Sequence, residues 1–360
     1  MSCSAHGRHD VPPRALGLMH LCVCLAVVQS ALLALSSPIA GATGALHAVR
    51  LTLSTASSSN AGVYVAGGLG YFVAQGLRVV ILNLGGSASE LAAALATDRV
   101  DIADVGVNPA MFNTVKAGGF KVVADKGALL KGWGYVSIIV RKDYASRIKG
   151  PEDLKGLSIA MTPPGLATAN GFALSAYLAR ASLKPDDVHI QPIPFPAQIA
   201  ALSNKAVPVA MMTEPFATQA VKSGIGVRLI TADEIVPGQQ IGTIAYGSRF
   251  LATHRDWAEQ FMVAYLQGIR AYNAAMARGV EKARIIQILT QSTPMKDAQL
   301  WVEMIPAGLN PTGKLNVESI QQAENFFHRL GLVPEPPALT TFIDLSFVDR
   351  ANQVLGPPVP

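Results

Sequence analysis

The sequence predicts an α/β protein of two lobes with a helical C-terminal part. Three observations carry that expectation. The chain has 360 residues, 50% of them hydrophobic and 15% charged, more than one small core accommodates and suited to roughly two α/β lobes. A strand-helix-strand order occurs twice, about a hundred residues apart. From Asp256 onward the texture turns helical.

The first residues stand apart from the rest. Arg8 and Arg14, with His6 and His9, precede an apolar run from Ala15 to Leu35, and small residues follow at Ala40, Ala42, Ala45 and Ala48. That order of basic, greasy and small-residue regions is that of a secretory signal, expected over residues 1–48. An uncleaved membrane anchor is the alternative, because the run is about long enough to span a bilayer, although His20 and Gln29-Ser30 interrupt it. All three cysteines, Cys3, Cys22 and Cys24, fall before the candidate cleavage points, so the exported chain needs no redox environment. Neither Cys22 nor Cys24 sits in a lipobox-like context, which disfavours a lipid anchor.

Strands and helices then alternate. Val49 to Leu53 opens the exported chain as a strand. Val79 to Leu84 is a continuous apolar run suited to a strand buried on both faces, Glu90 to Thr97 has helical composition, and Val100 to Val105 returns as a strand. The second unit runs from Gln191-Pro-Ile-Pro-Phe195 through the helical segment Ala197 to Lys205 into the strand Val207 to Met212. Between them lie a strand at Leu157 to Met161 and a helix at Leu166 to Ala181, opened by Thr162-Pro-Pro-Gly165. Asp256 and Glu259 have the spacing of a capping box, followed by an amphipathic stretch to Ala277. Further helices are expected at 280–291, 296–304, 317–330 and 340–353, with the Pro-rich segment Val333 to Pro337 as a loop.

Composition and motifs exclude several classes of function. The 29 Lys and Arg against 24 Asp and Glu form no polybasic block, which argues against a nucleic-acid partner. No metal is expected, because the histidines are isolated and no cysteine pair survives processing. No cofactor is expected either: Gly67-Gly-Leu-Gly70 lacks the third glycine of a dinucleotide fingerprint, and no Walker sequence occurs. Gly85-Gly-Ser-Ala-Ser89 lies where a nucleophile elbow would lie, yet Ser89 replaces the closing glycine. Ser87 with Glu90 instead makes a capping box, whose helix start presents N–H groups and a positive dipole to a small anion or polar head.

Pro163 to Thr168 offers a second such junction, and both should face one cleft at the carboxyl ends of the strands. Glu214, before Pro215, is placed at the cleft rim or in a solvated turn. Trp133 and Tyr135 either stack on a ligand or pack. With two helix-start loops and no catalytic constellation, the chain reads as a binder rather than an enzyme.

The residues also carry a resemblance. Gly68-Leu-Gly70-Tyr-Phe72, Gly76-Leu-Arg-Val, the Gly85-Gly-Ser-Ala segment and Val100-Asp-Ile-Ala resemble the periplasmic solute-binding proteins of nitrate, sulfonate and taurine ABC importers, the SsuA/TauA-like and NMT1/THI5-like family. Glu152-Asp-Leu-Lys-Gly156, Leu183-Lys-Pro-Asp-Asp-Val188, Thr213-Glu-Pro-Phe-Ala217 and Phe347-Val-Asp-Arg-Ala351 extend it along the chain. The phrase that in this family commonly reads Gly-x-Val-Asp-Ala is here Ala206-Val-Pro-Val-Ala210.

The resemblance implies a type 2 periplasmic-binding fold, hinged between lobe 1 (49–136 plus 247–360) and lobe 2 (137–246). It implies periplasmic location, a small-molecule ligand, an ABC permease and ATPase as partners, and a monomer. Its ligand loops would fall at Ser58 and Asn60, Ser87 and Ser89, Asn108, Trp133, Gly165, Thr168 and Glu214. Those segments hold almost no Arg or Lys, Lys131 excepted, so one sulfonate, carboxylate, taurine-like zwitterion or neutral heterocycle suits them better than a multiply charged anion. Ser87 and Thr168 would take the polar head and Glu214 an amine; a pyrimidine or thiamine precursor stacked on Trp133 or Phe195 is the alternative cargo.

Overall fold

The computed structural model of the protein describes residues 45–53, 57–82, 84, 88–116 and 118–359. The predicted signal segment 1–48 therefore lies almost wholly outside the described residues, as does Ser87. No helix among the described residues is long and apolar enough to cross a membrane.

Among the described residues, ten strands form two five-stranded sheets. In the first, β1 (His47–Thr52) pairs parallel with β2 (Leu77–Leu82) and β3 (Ile102–Gly106). The sheet is completed by β4 (Phe120–Ala128) and β10 (Gln240–Gly247), in the order β2-β1-β3-β10-β4. The second contains β5 (Val136–Arg141), β6 (Ser158–Met161), β7 (His189–Pro192), β8 (Val209–Thr213) and β9 (Gly226–Thr231), in the order β7-β6-β8-β5-β9. The two orders are the same pattern: three parallel strands, then an antiparallel strand, then a closing edge.

The antiparallel strand of each sheet is the one that has just crossed from the other lobe. After β4 the chain crosses and enters the second sheet as β5; after β9 it crosses back and enters the first as β10. The strand β10, which the sequence division assigned mostly to lobe 2, thus belongs to the first sheet. The crossings pack on each other: Leu129 N–H donates to Gln239 O at 2.9 Å and Gly238 N–H to Leu129 O at 2.7 Å. Asp233 accepts from Gly132 N–H at 2.8 Å, and a Cβ on Gly134 would overlap the Asp233 carboxylate.

Burial follows strand position. The central β8 is buried throughout, as its run of Val, Ala and Met requires of a strand covered on both faces. The apolar β2 was expected to be buried likewise, but it is an edge strand, and Ile81 is 42% exposed. The helix Arg255–Arg278 covers the first lobe, and Gly268 lets it approach Ala61–Gly68, since a Cβ there would lie 2.3 Å from Gly62 O. From that helix the buried Tyr265 hydroxyl donates to Asp125 O at 2.9 Å, fixing β4 where it meets the cleft; burial pushes the Tyr265 phenol pKa well up.

Two helix starts differ from the sequence expectation. The Asp256 and Glu259 pair forms no capping box; the helix begins at Arg255 behind His254, whose ring stacks on Trp257 at 3.7 Å. The last helix runs Ser346–Leu355 rather than from residue 340, because Leu339–Thr341 is a 3-10 turn and Ile343 bridges to Val122 on the β4 edge.

Candidate functional site

A cleft of about 400 Å³ opens between the two sheets. The first lobe contributes Ser57, Ser59, Asp104, Asn108, Lys126 and Gly242, the crossing before β5 brings Tyr135, and the second lobe adds Thr162 to Pro164, Thr168, Asn170, Phe195 and Thr213. Its depth comes from the strand ends. The loops after β3 and β6 each run directly into a helix, so two helix N-termini meet the cavity from opposite lobes.

Both helix starts are capped by wall residues. Asn108 is extended, and its Oδ1 accepts from Met111 N–H at 3.0 Å, with Pro109 in the first helical position. Its side-chain NH₂ is then the donor left for a ligand. Thr168 Oγ1 accepts from Gly171 N–H at 3.1 Å and donates to Gly165 O at 2.7 Å, so one hydroxyl closes the turn and caps Ala169–Ala179. The Tyr135 hydroxyl, buried beside Ser59, meets no partner at hydrogen-bonding geometry among the described residues. Burial and the nearby carboxylates of Asp125 and Asp104 push its pKa up, so it enters the cleft as a neutral donor.

At the floor lies a buried ion pair. Lys126 Nζ on β4 is 2.6 Å from Asp104 Oδ2 on β3, with the two side chains 4% and 3% exposed. The strand β10 lies between β3 and β4, and the pair spans it at Gly242, where a Cβ would stand 3.2 Å from Lys126 Cδ and 3.8 Å from Asp104 Oδ1. Beside it, Asp125 is fully buried and accepts from Asn310 N–H at 2.7 Å, Gly127 N–H at 2.9 Å and Gln240 Nε2 at 2.5 Å. Burial raises the Asp125 pKa to about 6 against the opposing effect of those donors and of Lys126.

The structure brings together part of the residue set expected from sequence. Asn108 and Thr168 line the cleft, with Phe195 of the alternative stacking site. Ser87 lies outside the described residues, and the side chain of Ser89 is likewise not described. Ser58 and Asn60 are buried against a separate pocket of about 30 Å³, with Tyr64, Pro215, Met295 and Trp301. Gly165 forms the left-handed turn that supports Thr168 and is not a wall residue.

Two expectations are corrected. Trp133 packs on the first-lobe core, its ring 6.5 Å from that of Tyr272, and does not face the cleft. Glu214 is neither at the rim nor solvated: it is wholly buried, and its carboxylate accepts from Arg228 Nη2 at 2.8 Å and from Thr218 N–H and Oγ1 at 3.0 Å. The cation of the cleft is Lys126 and not Lys131, which is exposed. Tyr135, expected either to stack on a ligand or to pack, lines the cleft; Asp104 and Lys126 were missed as wall residues, and the available signal was charged side chains within strand segments, an arrangement that requires a partner.

A family model described as the NMT1-like family matches residues 48–287. Comparison with curated proteins gives no match. Among solved structures, the fold is similar to the periplasmic nitrate-binding protein NrtA from Synechocystis PCC 6803, with TM-score 0.71 and 14% identity over 86% of this chain and 89% of that one. It is similar to the alkanesulfonate-binding protein SsuA from Xanthomonas axonopodis pv. citri bound to MOPS, with TM-score 0.66 and 15% identity over 84% and 100% of the respective chains. The desulfurization enzyme DszB shares it too, with TM-score 0.62 and 14% identity over 85% and 99%.

Proposed function

The chain belongs to the NMT1-like family, and from that premise we propose that it is the periplasmic substrate-binding component of an ABC importer. It captures a small organic solute between its lobes and delivers it, as a single chain, to a membrane permease and its ATPase. The observation that carries this reading is the cleft itself: about 400 Å³, walled from both lobes, with capped helix starts and neutral donors around it. Ligand contacts from both lobes would favour a closed form, which is how occupancy becomes readable to a permease.

A binding role is favoured over catalysis by the cleft's inventory. DszB shows that the fold also serves an enzyme, but the cysteines of this chain all precede residue 25. No histidine lines the cleft among the described residues, so the hydroxyls of Ser57, Ser59 and Thr168 have no imidazole base beside them.

The test is thermal unfolding of the purified protein against sulfonates, taurine, nitrate, aromatic carboxylates, amino acids and pyrimidines. A solute at a hundred times its Kd stabilises the native state by about 2.7 kcal/mol, visible as a shift of several degrees. A shift with one chemical class supports solute capture; a flat response to the whole panel, with labelling by a serine-reactive fluorophosphonate, would replace it with a hydrolase.

A further inference from the structure

Building on the solute-capture reading, we infer that the Lys126–Asp104 pair makes the cleft select net-neutral, dipolar solutes and discriminate against simple monoanions. The favoured ligand carries an ammonium or N–H donor within a few ångströms of an anionic or carbonyl acceptor. Among the described residues that line the cleft, these two are the only carboxylic-acid and amine side chains. The sequence segments 54–56 and 85–87, Ser-Thr-Ala and Gly-Gly-Ser, contain no ionisable side chain.

The geometry gives the reason. With Nζ and Oδ2 2.6 Å apart, an anion held at Lys126 stands only a few ångströms from the Asp104 carboxylate, whose repulsion offsets much of the attraction. That anion has still given up its hydration. Drawing Lys126 away from Asp104 would loosen a buried ion pair, which is costly. A dipolar solute meets both poles favourably, its acceptor toward Lys126 and its donor toward Asp104, and breaks nothing. The surrounding Asn108, Tyr135, Thr162 and Asn170 supply further neutral polar groups.

Calorimetric titration of matched probes tests this: taurine against ethanesulfonate, β-alanine against propionate, with cytosine as a neutral heterocycle and nitrate as a minimal anion. At least one of taurine, β-alanine and cytosine should bind the unmodified protein tenfold or more tighter than any of the three anions. The two amines against cytosine tell a zwitterion from an uncharged dipole. Asp104→Asn should strengthen the anions at least tenfold and weaken the matched zwitterions. If that variant does not fold, the double variant Asp104→Asn with Lys126→Met removes both charges and should bind the members of each matched pair within about threefold of one another. An anion that binds the unmodified protein as tightly as its zwitterionic match, or an Asp104→Asn change that moves both alike, overturns the inference and leaves solute capture standing. Silence from all six probes toward folded protein overturns the inference, and solute capture then stands or falls on the wider panel.

Discussion

Lys222, at the end of the second-lobe helix Phe216–Lys222, reaches across to Glu303 on the first-lobe helix Ala298–Glu303, with Nζ 2.7 Å from Oε2. Phe172 and Phe326 make another interlobe contact, their rings tilted at 44° with centroids 5.5 Å apart. These contacts exist only when the lobes are together, so they belong to the closed side of a hinge equilibrium and add to whatever a ligand contributes.

Replacing Glu303 by Gln should therefore raise the Kd of any captured solute without changing which solute is captured. Both partners are partly solvated, so the change stays below about fivefold and shrinks further in high salt. Lys222, and then Gln299, hold the Glu303 carboxyl below its ordinary pKa of 4.5. The contact is thus present above that pH and lost as pH falls through the depressed value. Titration of both proteins at low and high salt checks this; an equal salt response would show that the ion pair takes no part in closure.

Asp125 predicts an opposite pH dependence. Its pKa is about 6 in the folded protein against 3.8 for a free side chain, because it is fully buried. Between those values the native state holds more protons than the unfolded one, so this group's contribution falls as pH rises from 4 to 6. The span is at most about 3 kcal/mol. Urea unfolding of the protein and of Asp125→Asn at several pH values isolates it. The stability advantage over the variant should be largest near pH 4 and smallest near pH 7, and an advantage growing with pH would mean that the hydrogen bonds from Asn310, Gly127 and Gln240 outweigh burial.

Glu214 should matter for folding and not for cargo. Its carboxylate holds Arg228 on β9 and the start of the helix Phe216–Lys222 together behind the cleft wall. Glu214→Ala leaves Arg228 without its buried partner and should cost about 3 kcal/mol. The Kd of a bound solute should move less than threefold. A tenfold loss of affinity with unchanged unfolding would return Glu214 to the ligand.

The parts legible in the sequence are those written locally. Parallel strands show as short apolar runs before helical segments; the caps at Asn108 and Thr168 need only residues three positions away, although the capping boxes expected from sequence were those of Ser87 and Asp256. What sequence leaves out depends on the crossing. The strands β4 and β10 are neighbours only because the chain leaves the first lobe and returns. Lys126 in Ala124-Asp-Lys-Gly127 therefore reads as a turn charge until β3 and β10 bring Asp104 to it. Glu214 failed for the same reason, since its partner Arg228 lies on a different strand. β2 looked buried because composition alone does not tell an edge strand from a central one.

Asn108 separates a folding role from a binding role in one side chain. Its oxygen caps the helix Pro109–Val115, and its NH₂ is the group available to a solute. Serine caps a helix about as well as asparagine, so Asn108→Ser should leave unfolding within about 0.5 kcal/mol of the parent. It carries no amide donor, and the loss of one ligand hydrogen bond should raise Kd by about three- to tenfold. Asn108→Ala removes both roles and should lower stability by about 1 kcal/mol as well. Unfolding and titration on the two variants give the answer together. If serine restores both stability and affinity, the Asn108 amide does not touch the solute, and the remaining first-lobe donors must come from Ser57, Ser59 and Lys126.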